Sequence, residues 1–470
     1  MRKMAKLYTL LGILLVVCAA AFAVSRYEGK KEQIKNSGEV ILEIPTENVT
    51  AVSWTNASGT FSFSKDEKWI YDDDNAFPAD EDKINDLLEQ FESFAAAFTI
   101  DDVEDFSQYG LDDPVCKISI TAGDESYNIE LGDFSKMDEQ RYISIGDGKV
   151  YLATHDPLDE YDAVLRDMIL DDTLPEFDTV QQIDFSGSEN YTIVRDESIK
   201  SICEDDIFFA DDQPLDTDNV NSFLSSVQSL SLTNYVSYNV SDEELENFGL
   251  NEPELTINLE YAVADDDGNI EDTGSLTLHV SRNPEELAEY EKAVEKEEED
   301  LPKVTCYARI GESQIVYEIS QSEYDSLTAC GYNILRHQEL FTADFDTATS
   351  IDVRLNGETY TFGYETPESK KDDEEGTWKY NGEEFDVQNL KSSLSAISAS
   401  DFTDETPDGQ EEISLTVHLD NEDFPEFTLT LYRYDGTNCI AEVDGKSVAF
   451  VSRDNTVALV EAVNKLILGS

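Results

Sequence analysis

The spacing of apolar residues along the chain recurs three times. In each occurrence the apolar positions fall at i, i+3, i+4, i+7 and i+10, which is the period of one helix face. The three stripes are Ile84, Leu87, Leu88, Phe91 and Phe94; then Val220, Phe223, Leu224, Val227 and Leu230; and then Leu390, Ser393, Leu394, Ile397 and Ser400, where two positions are polar. An aspartate precedes each stripe at the same offset, at Asp80, Asp216 and Asp386. Each aspartate is predicted to cap its helix, because its carboxylate can accept hydrogen bonds from the free backbone N–H groups of the first turn.

Short segments of alternating apolar and polar residues surround every stripe in the same order, as is typical of strands. An aromatic strand precedes each helix. These aromatic strands are Trp69-Ile70-Tyr71, Ile207-Phe208-Phe209 and Trp378-Lys379-Tyr380. We therefore predict an α+β fold of three tandem related modules, at residues 44–172, 177–341 and 345–468. Each module should be an antiparallel sheet packed by one or two amphipathic helices, and the third is degenerate.

An aromatic-Gly-Leu-x-acidic-Pro pattern precedes one strand in each of the first two modules. Its defining residues are Tyr109, Gly110, Leu111 and Pro114 in the first module, and Phe248, Gly249, Leu250 and Pro253 in the second. Glycine permits a backbone angle that other residues avoid, and proline starts the next strand extended. We interpret the pattern as a structural turn that pins a linker onto the sheet; a ligand-binding turn is the alternative. The third module lacks the pattern.

An acidic, helix-prone insertion at residues 283–300 separates two strands of the second module. It is predicted to be a solvated surface helix or a flexible excursion. The alternative is a docking arm for a basic partner. If the chain has a functional surface, we expect it in the first two modules and this insertion.

The N-terminus, residues 1–35, is predicted to be a membrane anchor or signal. Residues 7–24 form a run of 18 residues without charge, and Arg2, Lys3 and Lys6 precede it. The favoured interpretation is an uncleaved single-pass anchor. A signal cleaved near Ala21-Phe22-Ala23 and a lipoprotein modified at Cys18 are the alternatives. All three would place the bulk of the chain outside the cytoplasm.

The charge of the chain excludes one class of partner. The formal net charge is −71, and beyond residue 35 there are 25 basic and 101 acidic residues, which gives −76. Such a surface repels nucleic acid, so no DNA or RNA partner is expected. Several acidic clusters, including residues 72–75 and 265–268, leave a ligand- or cation-binding protein as an alternative.

The sequence offers no recognisable catalytic residues, cofactor site or metal site. The cysteines beyond Cys18 are odd in number and form no CxxC, so buried free thiols are favoured. The four histidines have no metal-ligand spacing, and no GxSxG, P-loop or GxGxxG motif in a strand–helix context occurs. We expect a non-enzyme. An envelope hydrolase with paired carboxylates remains a third alternative, although acids are too abundant here to mark such a pair.

Taken together, the apolar N-terminus, the Trp strand, Pro78-Ala79-Asp80 and the turn from Tyr109 to Pro114 resemble a known family. It is the bacterial family called domain of unknown function 4340. The resemblance is clearest over residues 65–155. Because members are often encoded beside ABC-type transporters, it implies an accessory or interaction subunit, tethered to the bacterial cytoplasmic membrane. The family supplies no catalytic residues, and the partner and the oligomeric state are left open.

Overall fold

The computed structural model describes residues 38–265, 269–366 and 376–468. The predicted anchor lies outside these residues, as does most of the acidic cluster at residues 265–268. None of the helices within the described ranges has the length and apolar character needed to cross a membrane.

The described residues form three nine-stranded antiparallel sheets together with nine α-helices. The predicted mixture of helices and antiparallel sheets is therefore confirmed. These residues group into two compact units. One comprises the described chain up to Asp172 together with Tyr235–Val240, and the other comprises Thr173–Asn234 and the chain from Ser241 onward.

The first module contains β1 to β9, which form a sheet in the order β1-β5-β9-β8-β7-β6-β2-β3-β4. Its strands are β1 (Glu39–Leu42), β2 (Val49–Asn56), β3 (Gly59–Lys65), β4 (Trp69–Tyr71), β5 (Phe94–Ile100), β6 (Cys116–Ala122), β7 (Glu125–Ser135), β8 (Gln140–Ser144) and β9 (Val150–Ala153). Its helices are α1 (Glu81–Glu89) and the short α2 (Leu158–Tyr161).

The second module contains β10 to β18, and eight of its strands follow the order β13-β12-β11-β10-β15-β16-β17-β18, with β14 as the ninth. The strands are β10 (Thr179–Gly187), β11 (Tyr191–Arg195), β12 (Phe208–Ala210), β13 (Gln213–Pro214), β14 (Tyr235–Ser237), β15 (Leu255–Ala264), β16 (Ile270–Arg282), β17 (Cys306–Ile310) and β18 (Val316–Ile319). The helices are α3 (Thr217–Gln228), α4 (Asp242–Asn247), α5 (Pro284–Glu295), α6 (Gln321–Thr328) and α7 (Tyr332–Leu335).

The third module contains β19 to β27 in the order β22-β21-β20-β19-β24-β25-β26-β27-β23. The strands are β19 (Ala348–Leu355), β20 (Glu358–Glu365), β21 (Thr377–Tyr380), β22 (Glu383–Phe385), β23 (Ala399–Phe402), β24 (Glu411–Leu419), β25 (Glu426–Arg433), β26 (Asn438–Val443) and β27 (Lys446–Ser452). Two helices complete it, α8 (Gln388–Ser395) and α9 (Arg453–Leu468).

Seven strands keep one order in all three sheets. The order β4-β3-β2-β6-β7-β8-β9 of the first sheet is that of β12-β11-β10-β15-β16-β17-β18 and of β21-β20-β19-β24-β25-β26-β27. Neighbouring strands in these runs pair antiparallel, as β2 does with β3 and β6. The repeat seen in the apolar pattern is therefore a repeat of strand topology.

The apolar stripes are buried, but the helices are shorter than the stripes. Ile84, Leu87 and Leu88 lie on α1, whereas Phe91 follows the helix and Phe94 is the first residue of β5. In the same way Leu230 follows α3. In the third module Ile397 follows α8 and Ser400 lies in β23, so those positions are reached by the chain after the helix. The i+10 positions of the stripes therefore coincide with the turn and strand after each helix and not with a further helical turn.

The acidic insertion folds as a helix. Asn283 caps α5, and its side chain accepts hydrogen bonds from the backbone N–H groups of Glu285 and Glu286. Ala293 is the one fully buried residue of this helix. At the base of the insertion, Asn283 N–H donates to the carbonyl of Thr305 over 2.8 Å, and Thr305 N–H donates to the Glu286 carboxylate over 2.7 Å.

Candidate functional site

The N-terminus of α3 is fixed to the segment that ends the second module. The Asp216 carboxylate accepts hydrogen bonds from the backbone N–H groups of Asp218 and Asn219. The backbone N–H of Asp216 donates to the carbonyl of Leu335 over 3.0 Å. The Asn219 side-chain amide donates to the carbonyl of Arg336 over 3.3 Å. These contacts place the residue after Arg336 beside the helix cap.

That residue is His337, whose imidazole lies between two carboxylates. Its Nε2 is 2.7 Å from Oδ1 of Asp206, and its Nδ1 is 3.5 Å from Oδ2 of Asp216. Asp206 is only 5% exposed. A buried carboxylate is costly unless it is paired and hydrogen-bonded, so the ring and the carboxylate stabilise each other.

A tight turn before β12 completes the cluster. The backbone N–H of Asp206 donates to the carbonyl of Cys203, which brings the thiol and the carboxylate to the same side of the turn. The Ser201 hydroxyl donates to Oδ2 of Asp206 over 2.6 Å. One ligand atom each from Cys203, Asp206 and His337 lies within 4.8 Å of the others. We call these three residues the Cys203–Asp206–His337 cluster.

The protonation of the cluster follows from burial and charge. Burial lowers the pKa of His337, but the hydrogen bond to Asp206 and the charges of Asp206, Asp216 and Glu339 outweigh it, so the net pKa is raised. Burial also raises the pKa of the Cys203 thiol. The metal-free cluster therefore favours a protonated imidazole and a neutral thiol.

The cluster borders an open cleft of about 670 Å³ in the same compact unit. Six acidic residues line this cleft: Glu197, Glu204, Asp206, Asp420, Glu422 and Asp423. Lys200 is its one basic lining residue, and its ammonium is already paired with Asp423. A concave surface of this sign concentrates cations.

The two aromatic-Gly-Leu turns have the same geometry. Gly110 has φ 67° and Gly249 has φ 70°, and both following leucines, Leu111 and Leu250, are buried. In each turn the aromatic ring packs edge-to-face against a tyrosine of the sixth shared strand, β8 or β17. The ring centroids of Tyr109 and Tyr142 are 5.0 Å apart, and those of Phe248 and Tyr307 are 4.9 Å apart. Pro114 and Pro253 are half-buried at the ends of these turns. The two patterns thus form the same type of turn in the first and second modules.

The predicted helix caps differ between modules. Asp80 accepts hydrogen bonds from the backbone N–H groups of Asp82 and Lys83, in the same way that Asp216 does on α3. Asp386 accepts from the backbone N–H of Gln388 alone, and Val387 occupies the residue immediately before α8. Of the three aspartates, only Asp216 has a histidine beside it within the described residues.

Sequence spacing gives no sign of the Cys203–Asp206–His337 cluster. Cys203 and Asp206 are three residues apart on a turn, which is not a metal motif. His337 comes from a segment 131 residues away. Only the pairing of the end of the second module with the N-terminus of α3 brings the three residues together. The search for motifs therefore missed them.

The sequence pattern of the family described as Domain of unknown function (DUF4340) matches residues 69–202 and 210–416. The chain belongs to this family. The match covers most of all three modules, including the turn motifs and the cap residues Asp80, Asp216 and Asp386. Cys203 and Asp206 lie in the gap between the two matched segments, and His337 lies within the second. No curated protein and no solved structure matches the chain.

Proposed function

We propose that the chain is a non-enzymatic, membrane-tethered protein of the bacterial envelope that serves an ABC-type transporter as an accessory or interaction subunit. The observation that carries this proposal is the seven-strand order that recurs in all three sheets. The charged partner of the helix cap does not recur with it: Lys83 lies beside Asp80, and His337 lies beside Asp216. A repeated fold with different charged groups in each repeat supports a scaffold that presents surfaces for binding, because function depends on the groups placed on a fold and not on the fold itself.

The tether rests on the sequence of the N-terminus. Residues 7–24 carry no charge, and three basic residues precede them. A stretch of this length is sufficient for one helical span. The acidic bulk that follows would then stand outside the cytoplasm, attached to the membrane at one end.

The surface charge defines the chemistry of the partner. Several basic side chains of the second and third modules are already engaged with acids, as in the pairs Arg282–Glu254, Arg354–Glu411 and Arg433–Glu412, at 2.6–2.7 Å. Among the described residues Asp206 is the one buried acid, so the excess acidic residues are at least partly exposed to solvent. Complementary charge speeds association and selects partners, so a protein that docks here should present a basic surface.

The first experiment tests tethering and partnership together. The full-length chain, tagged at its C-terminus, is extracted from native membranes in mild detergent, and co-purifying proteins are identified by mass spectrometry. We expect the chain in the membrane fraction with a transporter subunit. The control replaces residues 1–35 by a cleavable signal. A wild-type chain that is freely soluble and recovers no membrane protein would refute the proposal.

The second experiment locates the docking surface. The exposed acids Glu289, Glu291 and Glu295 of α5 are changed together to Gln. The matched control neutralises three exposed acids of the loop after β23: Asp404, Glu405 and Asp408. Loss of the partner in the α5 variant alone would assign docking to α5. Equal loss in both variants would indicate general charge attraction without a defined docking surface.

A further inference from the structure

We propose that Cys203, Asp206 and His337 bind one divalent metal ion of the zinc class, with Asp216 orienting the histidine. The three ligand atoms already lie within 4.8 Å of one another. In a tetrahedral zinc site, with bonds of about 2.0–2.3 Å, ligand atoms stand about 3.3–3.8 Å apart. Nε2 of His337 and Oδ1 of Asp206 are 2.7 Å apart, closer than two ligands of one zinc ion, so their hydrogen bond would open as an ion enters.

The donor set selects the class of ion. A thiolate, an imidazole and a carboxylate together suit zinc and related transition metals. Calcium and magnesium prefer oxygen donors alone. The acidic clusters elsewhere on the surface offer only oxygen donors, so this cluster differs from them in kind.

A second layer of contacts holds the ligands in place. A histidine that binds a metal through one nitrogen commonly has a carboxylate on the other, which fixes the orientation of the ring. Here Nε2 of His337 faces Asp206 while Nδ1 faces the Asp216 carboxylate. Asp216 is itself held by two backbone N–H groups of α3, and Ser201 holds the second oxygen of Asp206. His337 and Asp206 are therefore held in place before an ion arrives.

The cleft supplies a route for the ion and a fourth ligand. Ser201, Glu204 and Asp206 line its wall, so the cleft lies directly beside the ligating carboxylate, whose side chain is 2% exposed. The surrounding acids raise the local concentration of cations. Three protein ligands leave one coordination position open, and water from the cleft can fill it.

Metal binding would cross-link two segments of the second module where it meets the third, within one compact unit. Ile202, next to Cys203, packs against the buried core of the third module. His337 comes directly after Arg336, whose carbonyl accepts a hydrogen bond from Asn219 of α3, and it lies just before the third module. An ion that joins Cys203 to His337 would therefore hold together two segments of the second module that lie next to the third.

Cobalt(II) is the probe, because its thiolate complexes show a near-ultraviolet charge-transfer band and tetrahedral sites give strong visible bands. The full-length chain in detergent is stripped of metal with a chelator and titrated with Co²⁺, and zinc is then added in competition. We expect both bands to saturate at one equivalent and zinc to displace them. Absence of a thiolate band in the wild-type chain overturns the proposal without any variant.

Substitutions assign the ligands. Cys203→Ser should abolish the thiolate band, and His337→Gln should weaken Co²⁺ binding more than about 100-fold, beyond the loss typical of an orienting residue. The matched control for the thiol is Cys330→Ala, which removes a buried cysteine outside the cluster. Persistence of the band in Cys203→Ser, or its loss in Cys330→Ala, would contradict the assignment.

The role of Asp216 is tested without losing the helix cap. Asparagine caps helices about as well as aspartate, so Asp216→Asn removes the charge and keeps the cap. It should weaken Co²⁺ binding about 10-fold. Asp80→Asn makes the same change at the cap of α1 and should leave binding unchanged. Equal affinities for all three proteins would remove Asp216 from the site.

Discussion

The first and second modules build the same helix cap and neutralise its charge in different ways. In both, the aspartate N–H donates to the closing segment, to the carbonyl of Met168 or of Leu335. In both, the side chain three residues into the helix donates to the next carbonyl of that segment: Lys83 to Ile169 over 3.0 Å, and Asn219 to Arg336 over 3.3 Å. The fold therefore determines the hydrogen bonds of the cap.

The source of positive charge is where the two modules differ. In the first, the helix itself supplies it, since Lys83 lies 3.9 Å from Asp80 and 4.0 Å from Asp171. In the second, Asn219 is neutral and His337 arrives from the closing segment. A lysine stays charged across physiological pH, whereas a histidine can lose its proton or bind a metal. One cap is permanent, and the other can respond to its surroundings.

The largest expected effect comes from removing the buried acid. Asp206→Ala leaves His337 and Ser201 without their shared partner and should destabilise β12 and α3 by about 3 kcal/mol. Asp171→Ala in the first module removes a more exposed acid and should cost much less. The comparison is made by measuring the hydrogen exchange of α1 and α3 by mass spectrometry. Equal losses would mean that the buried acid contributes no more than the exposed one.

Removing the caps themselves should have the next largest effect. Asp80→Ala and Asp216→Ala should each destabilise the first turn of their helix by about 1 kcal/mol. The second should cost more, because His337 also loses a carboxylate. The measurement is the protection of the first-turn amides of α1 and α3. If α1 loses more protection than α3, the His337–Asp216 contact is not stabilising.

The pH response of the metal-free protein separates the two modules further. Because the pKa of His337 is raised in the folded protein, the contribution of this histidine to folding stability is fully present below its unfolded-state pKa of about 6.5. That contribution is lost as the pH rises through the higher pKa of the folded state. The protection of α3, corrected for intrinsic exchange and measured with chelator present, should therefore fall over this interval. His337→Gln should abolish the fall. A decline of the same size in α1 would instead indicate a response of the whole chain.

The smallest effect is expected when the second module is given a lysine at the position of Lys83 in the first. Asn219→Lys places an ammonium where α1 has Lys83, next to Asp216 and the carbonyl of Arg336. Stability should change by less than about 0.5 kcal/mol. The new charge should lower the pKa of His337, so the fall in α3 protection should shift to lower pH. An unchanged pH response would show that the two positions are not equivalent.

The fold was predictable to the extent that it depends on local patterns. Alternation located most strands, and the aspartate-stripe spacing located α1 and α3. The stripes overran the helices because a strand that follows directly can also bury the next apolar residue, as Phe94 does in β5. A residue ten positions along is buried both in a continuing helix of 3.6 residues per turn and in a strand that follows a shorter helix directly. The apolar pattern is therefore the same in the two cases.

The Cys203–Asp206–His337 cluster was not predictable in this way. Its residues lie on a turn before β12 and on a segment beyond α7, and no local spacing links them. What joins them is the docking of the closing segment on α3, which is a tertiary contact. Asp206 also reads as one acid among 103, so its burial gives no signal in the sequence.

The hydrogen bonds at the base of the acidic insertion have a practical consequence. Arg282, the last residue of β16, pairs with Cys306, the first residue of β17, and Asn283 and Thr305 extend the ladder by one more bond. The pairing of β16 with β17 is thus complete before the chain enters α5. We therefore expect that a shorter loop, a fluorescent label or another helix could replace residues 284–304 without changing the register of β16 and β17. The hydrogen bond from the Thr305 N–H to the Glu286 carboxylate would be lost.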